Sequence, residues 1–355
     1  MPGDRWHLTA IALPDGEQPA DWWIAGGRLS ASAVDGAREL PGGWVAPGLV
    51  DAHVHVTFET RDRLGLQRGT PELIEAQLDL QRRAGVLAVR DVGSLPGVAL
   101  PAQSSAGVRV IAAGPLLAPP DFFLAHLYEG TPPERAVVAA RRHVRDGWPW
   151  VKLITDFPGP DRNPLAPRLG YPPELLAAIV AAVHDEGGRV AAHVMGTFVR
   201  ELVALGVDSI EHGNWADEAT VREMAARGTA WTPTMTTVLG HIEPIAAHVA
   251  PARELLDLMR TTLPLAAALG VILLAGTDEE PHGTVADEVA ALVRYGVPAR
   301  DAIAAATTGA RSFLGLPALQ DGAPADLVTF AADPRADVGV LHTPAAVVAG
   351  GAPIT

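Results

Sequence analysis

The chain has 355 residues and a formal net charge of −14 at pH 7. This acidic balance repels nucleic acid and anionic membrane surfaces, so neither is an expected partner. The sequence contains no cysteine, which excludes disulfides and leaves nitrogen and oxygen as the donors for any metal site. No apolar run reaches the length of a membrane span, and the first residues lack the apolar core of a signal peptide, so we expect a cytoplasmic protein.

The two ends of the chain predict short strands. Residues 1–47 and 321–355 are expected to pair into one small composite β-sandwich, flanking a domain over residues 48–320. Strand-like segments separated by Pro and Gly turns occur at 8–13, 22–24, 44–46, 326–330 and 345–348.

Between these ends, strand-like and helix-like stretches alternate. The candidate strands are 49–56, 86–91, 108–113, 150–155, 189–194, 207–212, 229–233 and 271–277. The candidate helices include 71–84, 132–146, 173–186 and 217–227. Such alternation predicts an α/β fold, a (β/α)₈ TIM-like barrel. The rival is a doubly wound sheet, which would bind its ligand at one switch point, and no Gly-x-Gly-x-x-Gly stretch follows the first strand.

Histidines and an aspartate lie at the carboxyl ends of several of these strands. Alternation along a strand puts His53 and His55 on the same side, where two imidazoles can clamp a metal. His193, His212 and Asp278 each end another strand. Each residue alone fits a helix cap or a polar strand terminus, but the complete set favours a metal site.

The single lysine of the chain, Lys152, lies in the apolar segment 150–155. All other basic residues among the 27 lysines and arginines are arginine. Arginine supplies charge, but it cannot replace a primary amine that must lose its proton and react. A snorkelling lysine near a strand end is the ordinary interpretation. Beside the histidines, we interpret Lys152 as a functional amine.

These motifs resemble those of the amidohydrolase superfamily, most closely its imidazolonepropionase-like and metal-dependent prolidase-like branches. The resemblance covers nearly the whole chain and implies a distorted (β/α)₈ barrel, a composite β-domain and a site for two divalent metals, usually zinc. The matching segments, in family order, are Gly48–His55, Val89–Gly93, the lysine strand, His193, Ser209–Gly213 and Ala275–Asp278.

The resemblance also implies a role for each ligand. His53, His55 and Asp278 would bind the more buried metal, and His193 and His212 the more exposed one. Lys152 would react with CO₂ to form N6-carboxylysine, whose carbamate would bridge both metals. A hydroxide bridging the metals would attack the substrate carbonyl, and Asp278 would be the catalytic acid–base that carries the proton to the leaving amine.

Further residues are candidates for supporting or substrate-binding roles. We expect Glu211 to pack or to make a supporting hydrogen bond, and Asp91 to orient a ligand or cap a turn. The candidate substrate-binding residues are His126, Tyr128, Trp231 and His282, with His241 also at the rim and Phe122, Phe123 and Trp215 in an apolar wall. The residues expected to be uninvolved are His7, His143, His184, His248, His342 and the loop arginines Arg61, Arg63 and Arg68.

The sequence favours an enzyme that cleaves an amide bond of a small molecule, an N-acyl amino acid or a dipeptide as in prolidases. A lactonase, carbamate hydrolase or organophosphate hydrolase of the same superfamily is the alternative. A one-metal deaminase fits less well, because Val194-Met195-Gly196 after His193 lacks the glutamate that such enzymes carry there. A non-enzymatic relative would be expected to lose ligands. The substrate is the only partner expected, and a homo-oligomer is left open.

Overall fold

The computed structural model describes residues 5–61, 65–105, 107–124, 126–158, 167–280 and 282–354. Within these ranges the strands are β1 (Trp6–Ala12), β2 (Pro19–Ala25), β3 (Arg28–Ser30), β4 (Arg38–Glu39), β5 (Trp44–Pro47), β6 (Leu49–Val54), β7 (Phe58–Arg61), β8 (Gly65–Arg68), β9 (Val86–Asp91), β10 (Arg109–Ala112), β11 (Trp150–Ile154), β12 (Asp156–Pro158), β13 (Pro167–Leu169), β14 (Arg189–Val194), β15 (Ser209–His212), β16 (Ala230–Thr232), β17 (Leu327–Phe330), β18 (Ala346–Ala349) and β19 (Ala352–Pro353). The helices are α1 (Pro71–Arg83), α2 (Pro133–Arg145), α3 (Pro173–Asp185), α4 (Val199–Ala204), α5 (Glu218–Arg227), α6 (Met235–His241), α7 (Glu243–Ala246), α8 (Ala250–Ala268), α9 (Val285–Arg294), α10 (Ala299–Ala305) and α11 (Thr308–Phe313), with a 3₁₀ helix over Val338–His342.

Parallel strands surrounded by helices form the middle of the chain. β6, β9 and β10 pair in one parallel sheet, and β11, β14, β15 and β16 pair in a second. Every residue of β6, β9 and β11 is buried, as expected of parallel strands that are covered on both faces. Leu117 N donates to Lys152 O at 2.9 Å and so connects the segment after β10 to β11. The result is the predicted TIM-barrel-like α/β fold.

Seven of the eight predicted strands are present, but the segment 271–277 is not a regular strand. It pairs with β16 through a bridge between Leu273 and Trp231. It contacts β6 at its other end, where Asp278 N donates to His53 O at 2.8 Å. A Cβ atom on Gly276 would lie 2.8 Å from His53 N, so the glycine permits this close approach of the two backbones.

Both termini contribute to one eight-stranded sheet. Its order is β19–β18–β17–β5–β1–β2–β3, with β4 beside β1. β5 pairs with β1 on one side and with β17 on the other, and so joins the N-terminal and C-terminal strands. The strands expected at the two ends of the chain thus share one hydrogen-bonded sheet. Buried apolar side chains such as Leu8, Ile24 and Leu327 pack beside it.

Two antiparallel hairpins that the sequence did not predict follow strands of the barrel-like domain. β7 pairs with β8 after β6, and β12 pairs with β13 after β11. Arg63 and the side chain of Arg61, in the first hairpin, lie outside the described residues. Arg68 at the end of β8 donates to the carbonyl of Pro96. Among the described residues, no helix has both the length and the apolar character that a bilayer span requires.

Candidate active site

The six predicted ligands meet in one cavity at the carboxyl ends of the central strands. The cavity has a volume of about 570 Å³, and its wall includes all six. The ligand atoms of His53, His212 and Asp278 lie within 4.8 Å of one another, as a group that could hold a metal ion requires. The expected convergence of these strand ends is therefore present in the fold.

Two imidazoles on β6 and the residue after it face the carboxylate of Asp278. The Nε2 atoms of His53 and His55 lie 3.5 Å and 3.4 Å from its Oδ1 atom. On the far side of each ring, Nδ1 of His53 contacts Glu211 Oε2 at 2.8 Å, and Nδ1 of His55 contacts the carbonyl of Gly93 at 3.0 Å. With a proton on each Nδ1 donated to these acceptors, both Nε2 lone pairs are directed toward Asp278.

The other pair of imidazoles, His193 and His212, also lies in the cavity wall. Nε2 of His212 lies 3.0 Å from Nδ1 of His193 and 3.9 Å from Asp278 Oδ2. Nδ1 of His212 pairs with the hydroxyl of Thr234 at 2.8 Å. Nε2 of His193 is buried and has no hydrogen-bond partner among the described residues.

Left-handed backbone conformations direct two of the ligands into the site. His212 has φ 66° and Asp278 has φ 50°, although neither is glycine. Such conformations are uncommon for residues with a Cβ and cluster at functional sites. At the end of β15 the turn lets consecutive residues share the site: Glu211 hydrogen-bonds to His53, and His212 faces Asp278. The supporting hydrogen bond expected of Glu211 is the one that it makes to His53.

The amine of Lys152 is buried at 1% exposure, and its Nζ atom has no hydrogen-bond partner among the described residues. Burial lowers its pKa to about 8, although the carboxylates of Glu211 and Asp278 oppose the shift. A buried amine with a lowered pKa is deprotonated often enough to act as a nucleophile. This environment fits an amine that is converted into a carbamate.

Burial keeps three of the imidazoles neutral. It lowers the pKa of His53 to about 3 and that of His212 to about 4, and it holds the pKa of His193 well below its usual value. Burial also disfavours the charged form of Asp278, but His53 and His55 outweigh it and hold this pKa well below its usual range. Neutral imidazoles around an ionised carboxylate are the donor set that a divalent transition metal requires.

His55 differs from the other imidazoles, because its pKa is raised. Burial lowers this pKa, but the hydrogen bond and the charge of Asp278 outweigh burial. The space between His55 and Asp278 thus favours a positive charge. A divalent cation satisfies the same demand, so the residues fit the metal that the resemblance implies.

An ion pair below the ligands holds Glu211 in place. Arg90 Nη2 donates to Glu211 Oε1 at 2.7 Å, and both side chains have 0% exposure. Arg90 Nε also donates to the carbonyl of Ala52 at 2.7 Å, and the hydroxyl of Ser209 donates to Glu211 at 2.5 Å. Arg90 had no role assigned from the sequence, although a charged residue within the apolar strand β9 was a signal for one.

Asp91 caps the turn after β9. Its oxygens accept from Val56 N at 2.8 Å, from the hydroxyl of Ser94 at 3.0 Å and from Gly93 N at 3.2 Å. These bonds hold the turn whose Gly93 carbonyl accepts from His55. Both expected functions of Asp91 are therefore combined in one arrangement.

The predicted substrate-binding residues fall into two groups. His126, His241 and His282 line the cavity, and burial lowers the pKa of His282 to about 4. Tyr128 and Trp231 do not line it. The Tyr128 hydroxyl is occupied by a loop, where it donates to Pro119 O at 2.7 Å and accepts from two backbone amides.

Trp231 has 0% exposure and lies in the main apolar core, where its Nε1 donates to His212 O at 2.8 Å. It therefore supports the backbone of a ligand and does not face a substrate. Trp215 packs against the same core, and Phe122 also lies outside the cavity wall, whereas Phe123 is part of it. The five histidines expected to be uninvolved do not line the cavity: His7, His143, His184, His248 and His342.

The TIM-barrel-like fold with histidines and an aspartate at its strand ends defines a hydrolase of the amidohydrolase type. The chain belongs to the amidohydrolase family, whose model matches residues 44–353. It is an enzyme that hydrolyses carbon–nitrogen bonds, as the sequence predicted. An uncharacterized protein of Mycobacterium tuberculosis is 37% identical over 364 residues, which cover 98% of this chain and 95% of that protein.

Solved structures share the fold over almost the complete chain. A Xaa-Pro dipeptidase with methionine bound in its active site has a TM-score of 0.77 at 23% identity, and the match covers 99% of this chain and 100% of that one. An ochratoxinase of A. niger has a TM-score of 0.77 at 22% identity, with 98% and 95% covered. Phenylurea hydrolase B has a TM-score of 0.78 at 18% identity, with 99% and 97% covered. At these identities the likeness establishes the fold alone.

Proposed function

We propose that the protein is a binuclear metal-dependent hydrolase that cleaves the amide bond of a small molecule on a closed (β/α)₈ barrel. The observation that carries the proposal is the amine of Lys152, which is buried without a hydrogen-bond partner among the described residues, in the cavity whose wall includes the four predicted imidazole ligands and Asp278. Burial of an amine without a hydrogen-bond partner costs folding free energy, so its presence calls for a functional reason. Conversion to a carbamate that binds metal gives it one.

The donor set divides into two groups around Lys152. His53, His55 and Asp278 would hold the more buried ion, His193 and His212 the more exposed one, and carboxylated Lys152 would bridge both. Zinc fits these nitrogen and oxygen donors. When bound, such ions polarise a substrate carbonyl and lower the pKa of water.

Asp278 is the proposed catalytic acid–base. Its carboxylate faces the cavity beside three imidazoles, and its backbone amide is anchored to His53 O at 2.8 Å. Because its pKa is well below the usual range, the group is ionised and ready to accept a proton from the attacking water. It then returns this proton to the nitrogen that leaves.

The substrate is proposed to be an N-acyl amino acid or a dipeptide. A cavity of about 570 Å³ is in the usual size range of small-molecule sites. His126, His241 and His282 also line it and would bind polar groups of the substrate.

The test combines metal analysis with a hydrolysis screen. Purified protein is expected to carry about two divalent ions per chain, and chelation is expected to abolish activity. The screen compares N-acyl amino acids, Xaa-Pro dipeptides, lactones, carbamates and phosphotriesters. Full activity with one ion or none would contradict the binuclear site, and turnover of lactones, carbamates or phosphotriesters without amides would replace the proposed reaction.

A further inference from the structure

One side of the cavity is an apolar wall with several aromatic rings. Phe58, Leu116, Leu127 and Ile154 belong to one cluster of buried apolar side chains, and Phe123 and Leu124 pack against it. All six line the cavity. The wall begins directly at the ligands, because Phe58 stacks on His55 with ring centroids 5.4 Å apart and planes at 21°.

Phe123 presents its ring beside the other pair of imidazoles. Its centroid lies 5.8 Å from that of His193, with the planes at 69°. The same ring meets Phe157 edge to face at 4.7 Å and 72°, and Tyr128 at 6.1 Å and 68°. Aromatic groups prefer such edge-to-face and offset arrangements, so the wall offers a further ring the contacts that rings favour.

The loop that carries Phe123 is fixed before any substrate arrives. The Tyr128 hydroxyl accepts from Phe122 N at 2.9 Å and from Phe123 N at 3.0 Å, and it donates to Pro119 O at 2.7 Å. These three hydrogen bonds to one buried hydroxyl hold the backbone of Pro119, Phe122 and Phe123 in place. A preformed apolar site loses little conformational entropy on binding, so most of the burial contributes to affinity.

The charged side chains on the wall do not offer a guanidinium. Among the described residues that line the cavity, Lys152 is the only lysine or arginine, and burial lowers the pKa of His53, His193, His212 and His282. Glu279 and Glu280 also line the cavity, and their carboxyl groups lie outside the apolar cluster. The part of the substrate on the apolar wall is therefore best matched by an uncharged group.

We propose that this site selects amides whose acyl group carries an uncharged aromatic ring, and that Phe123 is the specificity-determining residue. The ring would lie on the wall between Phe58 and Phe123, with the scissile carbonyl directed at the ligands. This inference rests on the proposed amide hydrolysis and narrows its substrate class from N-acyl amino acids in general to N-aroyl and N-arylacyl compounds.

The experiment compares N-benzoyl and N-acetyl derivatives of the same amino acid with the metal-loaded enzyme. We expect kcat/KM to favour the benzoyl compound by about 10- to 200-fold, the range in which a hydrophobic pocket distinguishes substrates. Phe123→Ala is expected to bring this ratio close to one, and Phe123→Leu, which keeps apolar bulk, is expected to lower it less.

Phe122→Ala is the matched control, because Phe122 belongs to the same loop but does not line the cavity. Its ring packs over Gly170, where a Cβ atom would lie 2.7 Å from it. This variant is expected to keep the wild-type ratio. Equal kcat/KM for the two compounds, or an unchanged ratio in both Phe123 variants, would overturn the inference.

A binding measurement separates this inference from the proposed reaction. The dissociation constants of both compounds are measured by calorimetry with Asp278→Asn, in which hydrolysis is suppressed. Tighter binding of the benzoyl compound that disappears when Phe123→Ala is added supports the aromatic site, even if no amide in the panel is hydrolysed and the proposed reaction fails. Equal binding of the two compounds contradicts the aromatic site whatever the rates are.

Discussion

Two histidines, one in the terminal sheet and one in the cavity, have nearly the same neighbours and opposite properties. His7 contacts Glu39 at 2.8 Å and Asp21 at 3.0 Å, and His53 contacts Glu211 at 2.8 Å and Asp278 at 3.5 Å. The His7 side chain is 20% exposed, and hydrogen bonding to Glu39 raises its pKa. The His53 side chain is 1% exposed, and burial lowers its pKa to about 3.

Burial accounts for most of the difference between these two histidines, and the charge of Lys152 lowers the pKa of His53 further. Near the surface, water solvates the imidazolium, and the two carboxylates make it an ion pair. In the interior, desolvation of the cation outweighs the same neighbours and leaves a neutral imidazole with a free lone pair. The terminal sheet therefore uses His7 as a surface contact, whereas the neutral His53 in the cavity belongs to a group that could hold a metal ion.

The largest effect is expected from Lys152→Arg, which tests whether the cavity needs a reactive amine or only a cation. A guanidinium remains protonated in a protein and cannot form a carbamate. We expect activity to fall to background and bound metal to fall with it. Rates and elemental analysis are measured on the same preparation, with circular dichroism to verify folding. A variant with normal turnover would refute the bridging role.

Lys152→Ala provides the complementary rescue. It removes the amine and leaves space, so a short carboxylic acid such as acetate or propionate is expected to restore part of the metal content and of the rate. Lys152→Arg, which fills the space, is the control and is expected to show no rescue. If added acids leave both variants unchanged, a carbamate is not what the site requires.

Asp278→Asn is expected to have the next largest effect. The amide keeps the shape of the carboxylate. It cannot carry a proton, and it has no negative charge to interact with the neighbouring imidazoles. We expect kcat to fall by at least about 10²-fold, the lower range for acid–base catalysis. Steady-state kinetics at saturating metal separate kcat from KM, and a change confined to KM would assign Asp278 to substrate binding.

Glu211→Gln tests the buried histidine of the pair, because it removes one of the two carboxylates around His53. Metal affinity is expected to fall by about 10- to 100-fold, as it does when a partner of a metal-ligating histidine is lost. Stability is also expected to fall, by about 3–5 kcal/mol, because Arg90 remains buried without its counter-charge. Chelator competition measures the affinity, and denaturant unfolding of metal-free protein measures the stability.

The double variant Arg90→Met with Glu211→Gln separates these two effects. Removing both charges is expected to restore much of the stability of the metal-free protein, while metal affinity stays low because His53 still lacks its carboxylate. If affinity returns together with stability, Glu211 acts through folding alone and does not orient His53.

The sequence predicted the parts of the site that depend on position along a strand. Five strand ends carrying His53, His55, Lys152, His193, His212 and Asp278 could be identified from hydrophobic runs and their terminal residues. The pairing of Arg90 with Glu211 could not, because it joins residues 121 positions apart on strands that are not adjacent in sequence. Left-handed turns at His212 and Asp278 leave no comparable pattern in the sequence.

The misplaced substrate residues have a related cause. Strands buried on both faces read as continuous apolar runs, so the sequence does not show which side of β16 faces the cavity, and Trp231 was assigned to the wrong side. Tyr128 lies in a loop, as expected, but the sequence does not show that its hydroxyl forms hydrogen bonds within that loop. Of the residues that the sequence suggested for an apolar wall, Phe123 lines the cavity, whereas Phe122, Trp215 and Trp231 do not.

The smallest effect is expected from His7→Gln, which breaks the exposed member of the pair. Because the folded pKa of His7 is raised above its ordinary value of 6.5, folding favours the protonated form. The contribution to stability is thus complete below that value and is lost as pH rises through the folded pKa. The variant is expected to melt lower than the wild type by no more than about 2 °C near pH 6, since exposed ion pairs contribute little.

The melting temperatures of the two proteins are expected to converge once the pH exceeds the folded pKa of His7, where the imidazole is neutral in both the folded and the unfolded chain. Activity is expected to be unchanged at every pH, because His7 does not line the cavity. A difference that persists above the titration of His7 would assign its role to packing, since its ring stacks on Trp23 with centroids 4.8 Å apart. In that case the two histidines would differ in more than burial, because the neutral ring of His7 would also stabilise the sheet by packing on Trp23.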